Sequence, residues 1–288
     1  MRAHQRKWGL LFAIPGAVFF GAFAVYPFLD AFWVSLVHWN FFGPATFVGM
    51  ANYVSEVTDP TFWTALFNTV LFLVATYIPA NVIGICLALF LNLNFPLRDL
   101  YRTLFYVPAV TSQVVVAVVW LLLYNQQGPL NGFLADFRIG PIPWLYSNWA
   151  MPAVILMTIW ASIGYFTILY LAGLQGIPVE VKEAARTDGA SPLRAFWRIT
   201  APLLRSTVSF CLIMSVVQGM TVFIPELLLT NGGPNNDTMV LSLLVYNVGF
   251  VYRDMGPASA IAVIIFVLIM GTTVLSLRRV FAAERRYA

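Results

Sequence analysis

Six long, strongly apolar runs without a charged side chain constrain this chain more than any other feature. They cover residues 8–29, 61–97, 103–135, 139–179, 206–225 and 256–277. Each reaches the ~20 residues that a membrane-spanning helix needs. The runs are continuously apolar rather than alternating, which excludes a transmembrane β-barrel. A soluble domain could not hide the 60% of hydrophobic residues either. We therefore predict an all-α integral membrane protein with six transmembrane helices, near 8–29, 64–91, 104–124, 150–174, 204–226 and 257–277.

The distribution of basic residues predicts the orientation of these spans. If the N-terminus is cytoplasmic, only Arg138 and Arg253 fall outside the cell. The other fourteen then face the cytoplasm: Arg2, Arg6, Lys7, Arg98, Arg102, Lys182, Arg186, Arg194, Arg198, Arg205, Arg278, Arg279, Arg285 and Arg286. Cytoplasmic loops carry the excess of Lys and Arg in membrane proteins. We therefore predict that both termini are cytoplasmic, and the sequence pI of about 9.2 needs no nucleic-acid partner.

The N-terminal region and the two cysteines each allow an alternative interpretation. The basic N-terminus, the apolar run and the Ala22–Ala24 stretch could form a cleaved signal peptide, but a run of 22 residues is longer than a usual signal core. We therefore interpret it as the first span. The two cysteines, Cys86 and Cys211, fall inside predicted spans, and we expect packing residues rather than a disulfide.

One charged segment, residues 178–202, interrupts this apolar sequence on the predicted cytoplasmic side. Pro178 suits the first turn of a helix, and Gly189 can take the left-handed conformation that ends one. Ser191 followed by Pro192 is typical of a second helix start. We predict a helix, a glycine corner and a second helix, with small side chains at Ala184 and Ala185 exposed for close contact with another protein. A plain solvated loop is the alternative.

The same segment carries a recognisable motif. Glu183-Ala184-Ala185 is followed at fixed spacing by Gly189, Ile199 and Pro202. This pattern resembles the EAA signature of binding-protein-dependent ABC importer permeases, although Ala201 stands where that family usually has Leu. The stretches "LFYVPAVTSQVVVAVVW", "TNGGPNNDT" and "GPASAIAVIIFVLI" resemble the carbohydrate-uptake branch (maltose, glycerol-3-phosphate and trehalose types), and the "TNGGP" loop resembles its first permease.

The resemblance implies a fold, a set of partner subunits and a function for each subunit. The fold would be the type I ABC importer transmembrane domain in a bacterial or archaeal cytoplasmic membrane. The partners would be a second homologous permease, two copies of a cytoplasmic ATPase and an extracytoplasmic solute-binding protein, with no nucleic acid. The chain would not be an enzyme and would bind no cofactor or metal, because ATP and Mg would lie on the ATPase subunits. The sequence indeed has no G-x-x-x-x-G-K-[ST] phosphate loop.

The resemblance also assigns residues to coupling. The 178–202 segment would dock on the ATPase through its coupling helix. The residues concerned are Glu183, Ala184, Ala185, Asp188, Gly189, Ala190, Ile199 and Pro202. We divide the chain into residues 1–60, with the N-terminal tail, first span and outer loop, and a permease core of residues 61–288. That core would include an outer loop, residues 225–256, whose apolar stretch 239–251 is too short to span.

A sugar path needs polar and aromatic side chains that point into the bundle rather than at lipid. Thr158, Ser162 and Tyr165 share one helix face at i, i+4 and i+7. Together with residues of the third and fifth spans, the candidate path comprises Gln113, Trp120, Thr158, Ser162, Tyr165, Ser215, Gln218 and Gly219. The alternative is that these hydroxyls bond only to their own helices or join neighbouring ones.

Two rival functions remain open on the sequence. An ion-coupled secondary transporter should carry charges within its spans, whereas Asp30, Arg205 and Glu226 fall at predicted span edges. An intramembrane enzyme would need a catalytic or metal cluster, and the two histidines, His4 and His38, are too few to form one.

Overall fold

The computed structural model describes residues 12–284, with only the backbone at 182, 186 and 279–284. Helices dominate it, and the one ladder in the described chain is two residues long. The helices are α1 (Phe12–Val34), α2 (Ala51–Thr58), α3 (Pro60–Leu91), α4 (Arg98–Val110), α5 (Gln113–Leu123), α6 (Pro129–Asp136), α7 (Ala150–Gln175), α8 (Val179–Thr187), α9 (Pro192–Ala195), α10 (Ala201–Leu203), α11 (Arg205–Thr221), α12 (Ile224–Leu229), α13 (Leu241–Tyr246) and α14 (Met255–Glu284). Single π-helical turns lie at Gly21–Val25, Phe196–Thr200 and Asn247–Val251.

Five helical segments are long and apolar enough to cross a membrane: Phe12–Val34, Pro60–Leu91, Ala150–Gln175, Arg205–Leu229 and Met255–Arg278. A sixth span results only if α4 and α5 count as one, and their axes differ by 95°. The prediction of one continuous third helix over 104–124 is therefore wrong. The chain is extended at Thr111 and Ser112, with ψ of 140° and 132°, so the helical hydrogen-bond ladder stops between the two helices.

The chain forms two compact units, and the smaller one comprises Met1–Phe62 and Leu244–Phe266. Within it, β1 (Val37–His38) pairs antiparallel with β2 (Thr46–Phe47), with Val37 opposite Phe47. The buried Asn52 of α2 donates to the carbonyl oxygens of Ser35 and Val37, at 2.9 Å each. Helix α1 keeps its apolar side chains exposed, which suits a helix surrounded by lipid.

The larger unit comprises Trp63–Leu243 and Val267–Ala288. Its most buried long helix is α7, where Val154, Met157 and Phe166 are at most 2% exposed. A Cβ on Gly164 would overlap the carbonyl oxygen of Phe105, so α4 and α7 pack backbone to backbone. The predicted division at 60/61 lies close to the boundary at Phe62, but the smaller unit also takes in residues 244–266. The 1–60 and 61–288 division stays a prediction.

After α12, the outer loop contains a series of turns. Asn231, Gly232, Asn235 and Asn236 all have positive φ. The buried Asn68 of α3 holds this loop, because its amide donates to the carbonyl oxygens of Asn236 at 2.8 Å and Met239 at 3.0 Å. The apolar stretch after it forms a short helix, Leu241–Val251, as expected from its length.

The cysteines are both free. Cys211 is fully buried and packs as predicted, whereas Cys86 is exposed, so the prediction of a packing role is wrong for that residue. The side chain of Cys86 lies on a face of α3 that no other described residue covers.

Candidate functional site

A cavity of about 260 Å³ lies in the larger unit, where the break between α4 and α5 meets α7, α11 and α12. Its lining residues come from all five helices and from Thr111 in the break: Pro108, Ala109, Thr111, Gln113, Val116, Met157, Thr158, Ala161, Ser162, Tyr165, Gln218 and Pro225. The 95° bend that overturns the predicted third span therefore opens space for the cavity. Extended backbone at membrane depth is tolerated where protein or a water-filled cavity surrounds it.

The cavity wall combines apolar side chains with uncharged polar ones. It presents two amides, Gln113 and Gln218, and the hydroxyl groups of Thr111, Thr158 and Ser162, together with the phenol of Tyr165. No lining residue in the described part of the chain carries a charge. Such a wall can donate hydrogen bonds to a solute and accept them from it, and it supplies no counter-charge.

The polar groups of the wall differ in how far the protein already satisfies them. Thr158 donates its hydroxyl to the carbonyl of Val154 at 2.9 Å, as threonines in helices often do. Thr111 donates to Val107 at 2.7 Å. By contrast, the side chains of Gln113, Ser162 and Gln218 make no hydrogen bond to any residue in the described ranges. Their donors and acceptors are therefore available to a solute.

The structure brings together five of the eight predicted path residues: Gln113, Thr158, Ser162, Tyr165 and Gln218. The other three lie elsewhere. Trp120 packs edge-on against Trp160 and at a tilt against Tyr124, with ring centroids 5.8 and 5.2 Å away. Ser215 is buried and donates to the carbonyl of Cys211 at 2.7 Å. Gly219 packs against Leu73. Transport roles for all eight stay predictions.

Several lining residues were missed by the sequence reasoning. Met157 and Ala161 lie on the same face of α7 as Thr158, Ser162 and Tyr165, so the helical period could have included them. Thr111 and Pro225 could not have been found in this way, because Thr111 lies in the break between α4 and α5 and Pro225 lies in the first turn of α12, just after the break from α11.

A second candidate site is the charged segment, which has the predicted helix–corner–helix form. Helix α8 ends at Thr187, and Gly189 has φ +68°, in the left-handed region. The amide of Ala190 donates to the carbonyl of Ala185 at 3.0 Å, which is the closing bond of a Schellman cap. Ser191 then caps the next helix, its hydroxyl accepting from the amide of Arg194 at 3.4 Å.

One prediction about this segment is wrong. Ala184 is exposed, but Ala185 is only 6% exposed. Consecutive residues of an α-helix point about 100° apart, and here the turn that exposes Ala184 directs Ala185 inward. Glu183, Asp188 and Gly189 are exposed, and Ala190 and Ile199 are half-buried.

The exposed surface around these helices is apolar as well as charged. Val179, Leu193 and Trp197 are 61%, 70% and 66% exposed. Large apolar side chains next to Lys- and Arg-rich sequence are typical of a surface that another protein covers.

Comparison with known proteins identifies the family. Residues 80–287 match the family described as "Binding-protein-dependent transport system inner membrane component". A trehalose/maltose transport system permease, MalF of Thermococcus litoralis, is 32% identical over 281 residues, covering 96% of this chain and 95% of that protein. The multiple sugar-binding transport system permease MsmF of Streptococcus mutans is 34% identical, covering 95% of each.

Solved structures agree with this assignment. A chain of a bacterial ABC transporter that imports the acidic polysaccharide alginate superposes with a TM-score of 0.82 at 25% identity, covering 96% of this chain and 98% of that chain. An amino acid ABC transporter chain reaches a TM-score of 0.56 at 21% identity. The fold is thus the type I ABC importer transmembrane domain, as predicted. The chain belongs to the family of binding-protein-dependent inner-membrane transport components, and it is a permease rather than an enzyme.

Proposed function

We propose that this chain is one of two paired permease subunits of an ATP-driven importer that passes an uncharged, hydroxyl-rich solute of the sugar class. The observation that carries the proposal is the cavity wall, where Gln113, Ser162 and Gln218 have free hydrogen-bonding groups and no lining residue is charged. The relatives named for trehalose, maltose and multiple sugars support this substrate class.

The absence of charge on this wall narrows the class of solute. A carboxylate or phosphate entering the cavity would lose water without meeting a counter-charge from this chain, and burying an unpaired charge is costly. A neutral sugar exchanges its bonds to water for bonds to amides and hydroxyl groups of similar strength. This substrate class therefore differs from the acidic polymer of the structurally similar alginate importer.

The energy source in this proposal lies on partner subunits. ATP and Mg would bind two copies of a cytoplasmic ATPase, and this chain would bind no cofactor. The exposed Glu183 and Ala184, together with the exposed apolar Val179, Leu193 and Trp197, form a surface suited to docking on such a subunit. An extracytoplasmic binding protein would deliver the solute to the opposite end of the helices, in the cytoplasmic membrane of a bacterium or archaeon.

Ion-coupled secondary transport is the alternative with the least support. The cavity wall of the described chain contains no acid or base that could bind a coupling ion. One acid, Glu226, is fully buried on α12 next to the lining residue Pro225, but it does not line the cavity itself. Uptake that persists after the ion gradients are collapsed and stops when ATP is depleted would decide against this alternative.

The test uses the importer purified through a tag on this chain and reconstituted in vesicles with its binding protein. Uptake of a neutral radiolabelled sugar should be inhibited by excess neutral sugars such as maltose, trehalose or glucose, but not by glucuronate. Gln218→Leu should lower uptake at least about tenfold, because a desolvated hydroxyl of the solute loses its partner.

A matched control lies on the same helix. Thr221 is exposed, its hydroxyl bonds to the carbonyl of Val217 at 2.8 Å, and it does not line the cavity, so Thr221→Val should transport as the parent does. Equal uptake in the parent and Gln218→Leu would contradict the assigned path. Inhibition by glucuronate as strong as by maltose would contradict the neutral substrate class.

A further inference from the structure

A buried amide on α3 joins three helices of the larger unit. The side chain of Asn81 is 7% exposed, and it accepts the hydroxyl of Tyr170 on α7 at 2.7 Å. It donates to the hydroxyl of Ser215 on α11 at 2.8 Å and to the carbonyl of Tyr77 on α3 at 2.7 Å. Ser215 in turn donates to the carbonyl of Cys211. We call Asn81, Tyr170 and Ser215 the three-helix tie.

Glycines bring the same three helices together in pairs. A Cβ on Gly84 of α3 would lie 2.9 Å from the Cβ of Phe166 on α7. One on Gly173 of α7 would lie 2.5 Å from the hydroxyl of Thr207 on α11, and one on Gly219 of α11 would lie 2.8 Å from the side chain of Leu73 on α3. Small residues at such crossings allow close packing of membrane helices, and a polar group between them adds direction.

The tie lies between the cavity and the charged segment on both helices that connect them. On α7, Tyr170 follows the cavity residue Tyr165 by five residues and precedes the helix end at Gln175 by five. On α11, Ser215 lies between the helix start at Arg205 and the cavity residue Gln218. The segment from α8 to α10 connects these two helices. Any movement of that segment reaches the cavity through α7 and α11, past the tie.

We propose that Asn81 is a positioning residue for coupling, because it holds α3, α7 and α11 in one arrangement so that movement of the charged segment reshapes the cavity. This inference rests on the proposed function. Asn81 touches neither the cavity nor the charged segment, and its effect passes through Tyr170 and Ser215. Both polar atoms of the Asn81 side chain are hydrogen-bonded, so the tie favours one relative placement of the helices over neighbouring ones.

Inside a membrane, a polar side chain that loses its hydrogen bond finds few other partners. This is why Asn81 can hold the helices in one position. Apolar contacts between helices can slide, because lipid and side chains are equally apolar. An amide bonded at both ends cannot slide without leaving unpaired polar groups. Replacing Asn81 with Leu keeps the branched shape of the side chain but removes the bonds to both partner helices, so α7 and α11 can move without carrying α3.

The experiment compares solute uptake with ATP hydrolysis in the reconstituted importer. We expect Asn81→Leu to lower the solute transported per ATP hydrolysed by at least about fivefold, with hydrolysis in the absence of solute retained or increased. Tyr170→Phe and Ser215→Ala each remove one link and keep the side-chain shape, so each should give a smaller fall. These two variants decide the matter if Asn81→Leu does not assemble.

A matched control is Asn68→Leu. Asn68 is another buried asparagine on α3, but it donates to the outer-loop carbonyl groups of Asn236 and Met239 instead of to α7 and α11. It should leave solute-free ATP hydrolysis and the transport ratio of assembled importer unchanged. A general loss of packing would lower assembly in both Asn variants and would not change the ratio in either.

The outcomes separate this inference from the proposed function. If the unmodified importer shows no ATP hydrolysis that responds to solute, the proposed function itself is wrong. If the unmodified importer responds and Asn81→Leu, or Tyr170→Phe and Ser215→Ala, keep the parental ratio of solute to ATP, only the role of Asn81 is contradicted.

Discussion

At the scale of the residue, burial decides what a polar side chain can do more than its identity does. Gln218 and Ser215 are three residues apart on one helix, and both were predicted to line the path. The amide of Gln218 has no described partner and lines the cavity, whereas the hydroxyl of Ser215 is 4% exposed and occupied by Asn81 and Cys211. The helical period of a single span does not reveal which neighbouring helix a residue meets.

The burial of charged residues is likewise not evident from the sequence. Glu226 looks like a span-edge residue in the sequence, but it is fully buried, and neither carboxylate oxygen has a hydrogen-bond partner among the described residues. Glu56 is 8% exposed on α2, beside Asp59 and Asp254. Burial raises the pKa of the Glu56 carboxyl above its usual 4.5, and the two neighbouring acids raise that pKa further.

The pKa of Glu56 leads to a pH-dependent prediction for stability. A carboxyl whose folded pKa is raised binds its proton more tightly in the folded state, so stability falls as pH rises from its unfolded pKa through the raised one. Glu56→Gln should therefore raise the unfolding temperature of the purified permease at about pH 7.5, and the gain should shrink toward about pH 4.5. Thermal unfolding across that pH range measures it.

The control for this prediction is Glu180→Gln, since Glu180 is exposed on α8. It should shift the unfolding temperature little at either pH. A gain for Glu56→Gln that grew as the pH fell would have the wrong sign and would contradict the assigned cause.

At the scale of the element, the sequence predicts span positions well wherever a span is straight. The predicted fourth span, 150–174, corresponds to Ala150–Gln175. The third span differs because apolar composition indicates that a segment can lie in the membrane, but it does not indicate that the segment forms one continuous helix. The extended backbone at Thr111 and Ser112 turns the chain by 95°, and no charge or glycine marks it. The side chains that α7, α11 and Gln113 contribute to the cavity were therefore predictable, but the bend that brings them together was not.

The corner at Gly189 was predictable because it depends on the backbone conformation of one residue. Its φ of +68° suits glycine, tolerates asparagine and strains a β-branched residue. A Cβ there would meet no atom within 4 Å, so any effect of substitution comes from the backbone alone. Gly189→Val should cost about 1–3 kcal/mol of local strain and displace α9, whereas Gly189→Asn should be close to the parent.

The consequence for coupling is measured by retention of the proposed ATPase subunit during purification across a salt series. Gly189→Val should lose the subunit and lose transport at all salt concentrations. Glu183→Ala removes an exposed charge, so its loss should grow with salt, because salt weakens the ionic contacts that remain. Both variants should still insert and pair with the second permease. Full retention and transport in both would make this segment an ordinary solvated loop.

At the scale of the whole molecule, apolar exposure and basic charge together specify how the chain sits in a membrane. Helix α1 buries none of its most apolar stretch, and the other spans bury at most 44% of theirs. In water such exposure would drive aggregation, and in a bilayer it is the normal lipid-facing surface. Of the fourteen basic residues assigned to the cytoplasm, those at 2, 6, 7, 285 and 286 lie outside the described residues, so the orientation rests on sequence.

The last prediction tests this orientation at two exposed positions of the larger unit. Asn235 lies in the outer loop, and Glu180 lies on α8 of the charged segment. In a Cys86→Ser background, which removes the exposed native thiol, a cysteine at Asn235 should react with a membrane-impermeant maleimide added to intact cells. A cysteine at Glu180 should react only after the membrane is opened, because the fourteen-to-two asymmetry of basic residues predicts a cytoplasmic location for it. Retained transport in each variant is the control for correct insertion. Labelling of both positions in intact cells, or of Glu180 alone, would contradict the proposed topology, and with it the assignment of the charged segment to the side on which ATP is hydrolysed.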